Sequence, residues 1–468
     1  MTFAQRMFLS FFYGFALVKG LRHTHPGLFW ILVFTVVTRL LIYVVGQPWD
    51  QEVIAGTILN GDGAEYDQIA RNFLSGVWIL DMPWAASRTF GYPAFIAGIY
   101  MISNNSIWFV LAIQTLLNVL MVPMVYWLSK TIFGSSKSGT VAAGLFSVSA
   151  ISIAWAARYL FTETLFAFVF LVFIMLYIRF WGSDSFRWFL LFGLILGIGS
   201  IVRSALQFFF VIPLFIILLQ EIKIARKLIL GLGITCGLLI VISPFQALNY
   251  SQYGHYSLST ISGNMFVESV VTAKATLDRT KRAEAFYSLV GDDWDHMTNP
   301  FEKSSVAKKN SIKWAMQHPG ELISLHALGM ISFLVGTEKS AYLYVIARQE
   351  RPHVPLDGVV ETFSSRVLRN LKDIQREYFL TPVLMMKLLL EYLFVAGGIW
   401  ILIRREQKLL AVIFILTIAY FIVATAHAGR APRYKIPVLP IYAILGGGGA
   451  MLLHSYWRSW RSRLKVLG

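Results

Sequence analysis

Two acids and a small set of arginines are the residues of this chain best suited to chemistry. The first acid is Asp62, in Gly61-Asp62-Gly63-Ala64-Glu65-Tyr66-Asp67-Gln68-Ile69-Ala70-Arg71-Asn72-Phe73. Flanking glycines free the backbone around it, and the following pattern puts Tyr66, Ile69 and Phe73 on one helical face. Such a carboxylate is either an N-cap on an amphipathic surface helix or a general base held at a membrane surface. The second acid, Glu163, stands in Arg158-Tyr159-Leu160-Phe161-Thr162-Glu163-Thr164 at the mouth of an apolar run. An unpaired acid there costs a few kcal/mol, which makes Glu163 either functional or the partner of Arg158.

The cations are Arg88 in Arg88-Thr89-Phe90-Gly91-Tyr92-Pro93, Arg203 at the end of an apolar run, and the group within Ala426–Lys435. That last connection is short, yet it holds His427, Arg430, Arg433 and Lys435 beside Tyr434. Guanidinium groups are suited to bidentate recognition of phosphate, on a substrate or on a lipid headgroup. No clear metal-ligand spacing is present: His23 and His25 lack spaced partners, although two outward acids could hold a divalent ion. Gly446–Gly449 reads as close helix packing, since no nucleotide-binding sequence accompanies it.

The elements that must carry these residues are membrane helices. Hydrophobic residues make up 56% and charged residues 14% of 468, which excludes a set of soluble domains. About 20 apolar residues cross a bilayer. Ten segments qualify, near 28–46, 107–128, 139–156, 160–180, 188–203, 205–220, 228–247, 383–403, 409–425 and 436–453. Leu322–Gly336 is ambiguous, and Met7–Val18 reads as an interfacial helix. The expected fold is therefore an all-α polytopic membrane protein of about ten transmembrane helices with two large outward loops.

The net charge of +16 would suggest nucleic acid for a soluble chain. Here, with ten spans, most of the cations fall on one side, among them Lys130, Lys137, Arg179, Arg187, Lys223, Arg226, Lys227, Arg404, Arg405, Lys408 and the C-terminal arginines. That side is the cytoplasm, with both termini, and the partner is membrane lipid rather than nucleic acid. Residues 47–92 then face outward, with Asp50, Glu52, Asp62, Glu65, Asp67 and Asp81 against Arg71 and Arg88. The expected organisation is a membrane module 1–247, an outer region 248–382 on the acceptor side, and a membrane module 383–468. The lone Cys236 lies in an apolar run and makes no intramolecular disulfide.

Asp-Gly-x-x-Tyr, Arg-x-x-Gly-Tyr-Pro, Thr-Glu at a span entrance, Arg at the end of a later span, and Arg-Tyr-x-x-Pro-x-x-Pro (Arg433, Tyr434, Pro437, Pro440) occur in that order. In this the chain resembles the glycosyltransferase-C superfamily, in the branch of the dolichyl-phosphate-mannose protein mannosyltransferases and the lipid A aminoarabinose transferases. The resemblance covers about 28–260 and 383–453. Protein mannosyltransferases carry Asp-Glu where this chain has Asp62-Gly63, so the bacterial lipid and polysaccharide branches look closer.

The resemblance implies an enzyme of the bacterial cytoplasmic membrane that moves a sugar from a polyprenyl-phosphate carrier to a lipid, glycan or protein acceptor at the outer face. It implies catalytic roles for Asp62 and Glu163. Arg203, Arg430 and Arg433, with Lys435 and Arg88, would meet the donor phosphate, and Tyr66, Tyr92, Arg158, Tyr434 and His427 would support them. The rival readings are a flippase of lipid-linked sugars and a non-catalytic cell-envelope subunit.

Overall fold

The computed structural model describes residues 20, 22–59, 61–183, 185–278, 280–339, 341, 380–425 and 432–452. His427, Arg430, the interfacial segment Met7–Val18 and most of the C-terminal tail lie outside the described residues. Every regular element among the described residues is helical.

Among the described residues, seven helices are long and apolar enough to cross a membrane: Pro26–Val45, Ile107–Phe133, Glu163–Phe180, Ile224–Tyr253, Thr381–Arg404, Lys408–Thr425 and Arg433–Leu452. A pair of helices, Ser136–Ser147 and Ala150–Arg158, bent by 54° at a short break, makes an eighth if the two halves count as one span. The break falls where the Ser149 hydroxyl turns back to accept from the amide of Ser152, capping the second helix. Phe186–Val202 and Ser204–Leu219 are shorter apolar helices. All ten segments read from sequence therefore coincide with helices, and the count reaches ten only if the bent pair and these two each cross.

Close contact at small residues packs the membrane body. A Cβ on Gly237 would lie 2.2 Å from the Leu190 carbonyl oxygen, and one on Gly449 1.9 Å from that of Phe394. The glycine run in the last helix thus serves helix packing, as expected from sequence. One large apolar core runs through these helices, from Leu28 through Phe170 and Phe192 to Leu445. Inside it, Arg39 is fully buried and donates to Asn118 Oδ1 at 3.1 Å and to the Ser147 carbonyl at 2.5 Å.

Residues 261–317 have a small core of their own. Val270, Val271, Leu289, Val290 and Trp314 pack together from helices Ile261–Asp278, Arg282–Val290 and Pro300–Gln317. Leu322 and Leu325 of helix Pro319–Val335, which contains most of the apolar run Leu322–Gly336, pack against it. The stretch 47–92 is tied to the chain just before this segment: the Tyr253 hydroxyl donates to the Leu80 carbonyl at 2.5 Å and the Thr260 amide to that of Ala86 at 2.9 Å. Both stretches line one chamber.

Candidate active site

The chamber is a cavity of about 890 Å³. Asp62, Arg88, Glu163, Arg203, Arg433 and Tyr434 lie on its wall. Residues far apart in sequence meet there because each sits at the end of a helix.

Asp62 opens helix Asp62–Leu74. Gly61 precedes it at φ +62°, a left-handed conformation that favours glycine. Gly63 follows, and a Cβ there would lie 2.2 Å from the Ile58 carbonyl oxygen. The Asp-Gly that departs from the mannosyltransferase pattern therefore has a steric cause: the backbone passes too close for any side chain. Gly63→Ala is expected to push the Asp62 turn outward and to lower activity more than global stability. Parallel measurement of turnover and thermal unfolding checks this, and unchanged turnover would contradict it.

The buried face of this helix seats the acid. Tyr66 meets the Tyr92 ring edge-on at 4.9 Å. Tyr92 in turn donates to Gln114 Oε1 at 2.6 Å, and Gln114 donates to the Tyr159 carbonyl at 3.0 Å. Asp67, on the same helix, is structural: it pairs with Arg71 at 2.8 Å and accepts from the Tyr100 hydroxyl at 2.5 Å.

Three guanidiniums answer three carboxylates. Arg88 Nη2 lies 2.8 Å from Asp62 Oδ1 and its Nε 2.6 Å from Glu65 Oε2, with the guanidinium over the Tyr66 ring. Arg203, just past the end of helix Phe186–Val202, reaches Glu163 Oε1 at 3.0 Å and the Thr162 hydroxyl at 3.1 Å. Arg433 sits between the acids, with Nη2 3.2 Å from Asp62 Oδ2 and Nε 3.6 Å from Glu163 Oε1. Arg203 and Arg433 both lie over the Tyr434 ring. Glu163, at the first turn of its helix, is 2% exposed, so its negative charge depends on these partners.

Partial burial works to raise the Asp62 carboxyl, but the charges of Arg88 and Arg433 and their hydrogen bonds outweigh it. The group is held below its ordinary value of 3.8. A depressed folded value means that the ion pairs stabilise the protein fully above that ordinary value. The contribution is lost as pH falls through the lower folded value. Thermal stability is expected to be insensitive to Asp62 titration at neutral pH and to fall in acid, and Asp62→Asn should lack that part of the acid loss. An identical acid profile in the variant would contradict the assignment.

The structure brings Asp62, Tyr66, Arg88, Glu163, Arg203, Arg433 and Tyr434 together at this cavity. Two expectations turn out differently. Lys435 does not reach the cluster, because its Nζ donates to the carbonyls of Leu334 and Gly336, at 3.0 and 2.6 Å. Arg158 ends helix Ala150–Arg158 away from the cavity wall, and the acid beside it pairs with Arg203 and Arg433 instead. Tyr92 is fully buried beneath Tyr66.

Sequence reasoning missed Glu65 and Thr162. The spacing of Glu65, three residues after Asp62, places it on the same helical face and was the available signal. It also missed the opposite wall, where Tyr256, Lys308 and His326 face the cavity. Among the described residues no group of three or more His, Cys, Asp or Glu is arranged to hold a metal ion. The guanidiniums of Arg88, Arg203 and Arg433 are the groups here suited to an anion.

Comparison with known proteins adds three findings. No curated protein sequence matches the chain. The structure is similar to the oligosaccharyltransferase of Archaeoglobus fulgidus at a TM-score of 0.48 and 13% identity, over 94% of this chain and 52% of that one. The chain thus spans about half the length of that protein. It is also similar to ArnT from Cupriavidus metallidurans, at a TM-score of 0.38 and 14% identity, over 90% of this chain and 77% of that one. Residues 87–247 match the family model described as dolichyl-phosphate-mannose-protein mannosyltransferase, a stretch that contains Arg88, Tyr92, Glu163 and Arg203. Over those residues the chain carries that family's signature, and the glycosyltransferase-C resemblance drawn from its motifs is borne out.

Proposed function

We propose that the protein is a membrane glycosyltransferase that moves a sugar from a polyprenyl-phosphate carrier to an acceptor hydroxyl at the outer face of a bacterial cytoplasmic membrane. The observation that carries this reading is Arg433 bridging Asp62 and Glu163 inside a cavity of about 890 Å³. The family match over residues 87–247 supports it.

The chemistry follows from exchange of ion pairs. A polyprenyl-phosphate is an activated leaving group, so the enzyme must deprotonate the acceptor and stabilise departing phosphate. In the free protein Arg88 and Arg433 are occupied by Asp62, which is then a weak base. An arriving phosphate competes for the same guanidiniums. As they turn to it, Asp62 loses the charges that depress its affinity for a proton, and becomes basic while both substrates are bound.

The acceptor oxygen then forms a bond to the anomeric carbon as the bond from that carbon to the phosphate oxygen breaks. The acceptor proton passes to Asp62, and the electron pair leaves on the phosphate beside Arg203 and Arg433. Glu163 holds those two arginines in place. One displacement with a single carboxylate acting as base inverts the anomeric configuration. The outer region 248–382 supplies the wall with Tyr256, Lys308 and His326 and is the acceptor side.

The reading is tested by reconstituting the full chain in liposomes with a panel of synthetic polyprenyl-phosphate sugars and bacterial membranes as acceptor. Transfer of one sugar with inverted linkage, seen by NMR, is the expected result. Net movement of labelled donor across the bilayer without any transfer would replace this reading with lipid-linked sugar transport.

A further inference from the structure

We propose that Lys435 and Glu338 form a clamp that holds helix Pro319–Val335 as a roof over the charged cluster and fixes the position of Arg433. Both are positioning residues, and neither touches the phosphate. This inference rests on the reading of the cavity as a donor phosphate site.

The roof helix contributes Leu322, Ile323, His326, Ala327 and Met330 to the cavity wall. Its last carbonyls have no partners within the helix and need donors from elsewhere. Lys435 supplies them: its Nζ donates to Leu334 at 3.0 Å and to Gly336 at 2.6 Å. The Tyr392 hydroxyl donates to the same Leu334 carbonyl at 2.5 Å. A cation at a helix C-terminus is also favoured by the helix dipole. Lys435 is 5% exposed, so removing these bonds leaves a buried charge or buried carbonyls unsatisfied.

Glu338 pins the chain just after the roof. Its carboxylate accepts from the Ser149 hydroxyl at 3.0 Å and the Ala150 amide at 2.7 Å, at the bend of the broken span. It also pairs with Lys387 at 3.2 Å, and Lys387 pairs with Glu391 at 2.9 Å. Lys435, Glu338, Lys387 and Glu391 line one small cavity of about 20 Å³. Two positive and two negative groups thus enclose a space of about one water molecule.

Lys435 lies two residues after Arg433 in a single 3-10 segment, Pro432–Val438. Arg433 pairs with both carboxylates, at 3.2 and 3.6 Å, and lies over the Phe161 and Tyr434 rings. Those contacts aim the guanidinium, and the backbone position set by Lys435 decides whether it can reach both acids at once. Roof and guanidinium are fastened by the same ammonium group.

The test titrates a short-chain polyprenyl monophosphate into the full chain in detergent, for wild type and for Arg433→Gln, Lys435→Met, Lys435→Arg and Glu338→Gln. Hydrogen exchange of residues 319–335 is followed without ligand. Loss of a charge-assisted contact is worth about tenfold in affinity. Arg433→Gln and Lys435→Met are each expected to weaken binding by about that factor. Lys435→Arg should restore it to near wild type, and Lys435→Met and Glu338→Gln should both speed exchange in the roof helix.

Wild-type affinity in folded Lys435→Met, with weakened binding in Arg433→Gln, would overturn the clamp alone. Wild-type affinity in Arg433→Gln would overturn the phosphate reading, and exchange in the roof helix then decides the clamp. If Lys435→Met does not fold, Glu338→Gln decides, and unchanged exchange and affinity in that variant overturn the proposal.

Discussion

Asp62→Asn is expected to reduce sugar transfer by about 10²–10⁴-fold, the usual contribution of a general base. The substitution keeps the size and planarity of the side chain but removes its proton affinity. It also removes the negative charge that occupies Arg88 at 2.8 Å and Arg433 at 3.2 Å in the free protein. Those guanidiniums then meet a phosphate without a competing carboxylate. Binding of a polyprenyl monophosphate should therefore be retained or tightened while turnover collapses. Measuring both quantities on one preparation separates the base role from a purely organising one. A variant that keeps a tenth or more of wild-type turnover would remove Asp62 from proton transfer. A loss of affinity as large as the loss of turnover would make it a scaffold for the arginines.

Glu163→Gln acts on stability as well as rate. The carboxylate is 2% exposed and answers Arg203 at 3.0 Å and Arg433 at 3.6 Å. Removing one member of a buried ion pair leaves an uncompensated charge, at a cost of about 3–5 kcal/mol. Glutamine keeps one acceptor, so the expected loss lies toward the lower end of that range. Turnover should fall too, because Arg203 and Arg433 lose the group that aims them.

The diagnostic measurement is a double-mutant cycle with Arg203→Gln, read by thermal unfolding of the purified protein in detergent. The double variant should be more stable than the sum of the two losses, because the second change removes the orphaned charge. Strict additivity would show that the two side chains do not depend on each other. A Glu163→Gln protein as stable as wild type would mean that Arg203 and Arg433 find other partners when the carboxylate is gone.

Glu163 was legible as a candidate because an acid at the mouth of an apolar run is costly unless paired, and Asp62 because flanking glycines set it before an amphipathic helix. Arg203 and Arg433 were legible because they break the charge bias expected of outward connections. Arg158 was misleading for a related reason: nearness in sequence offered it as the partner of Glu163. The bend between Ser147 and Ala150 and the course of helix Phe186–Val202 bring Arg203 to that acid instead. Lys435 was misleading because a cation close to Arg433 in sequence shares its chemistry but not its direction. In a 3-10 segment, two residues of separation turn a side chain to another face.

The sequence by itself determined the class of structure and the inventory of reactive groups. Apolar runs of bilayer length and a one-sided distribution of cations are summed properties of many residues, and no single contact can reverse them. It also determined that Gly63 is glycine, while the steric cause waited for the Ile58 carbonyl at 2.2 Å. The pairing of charges was decided only in three dimensions. Arg433 lies 371 positions from Asp62 in the chain, and a Coulomb interaction depends on separation in space rather than along the chain. Tertiary packing gave each acid its guanidinium, turned Lys435 toward the roof helix, and enclosed the cluster in a chamber where those charges interact strongly.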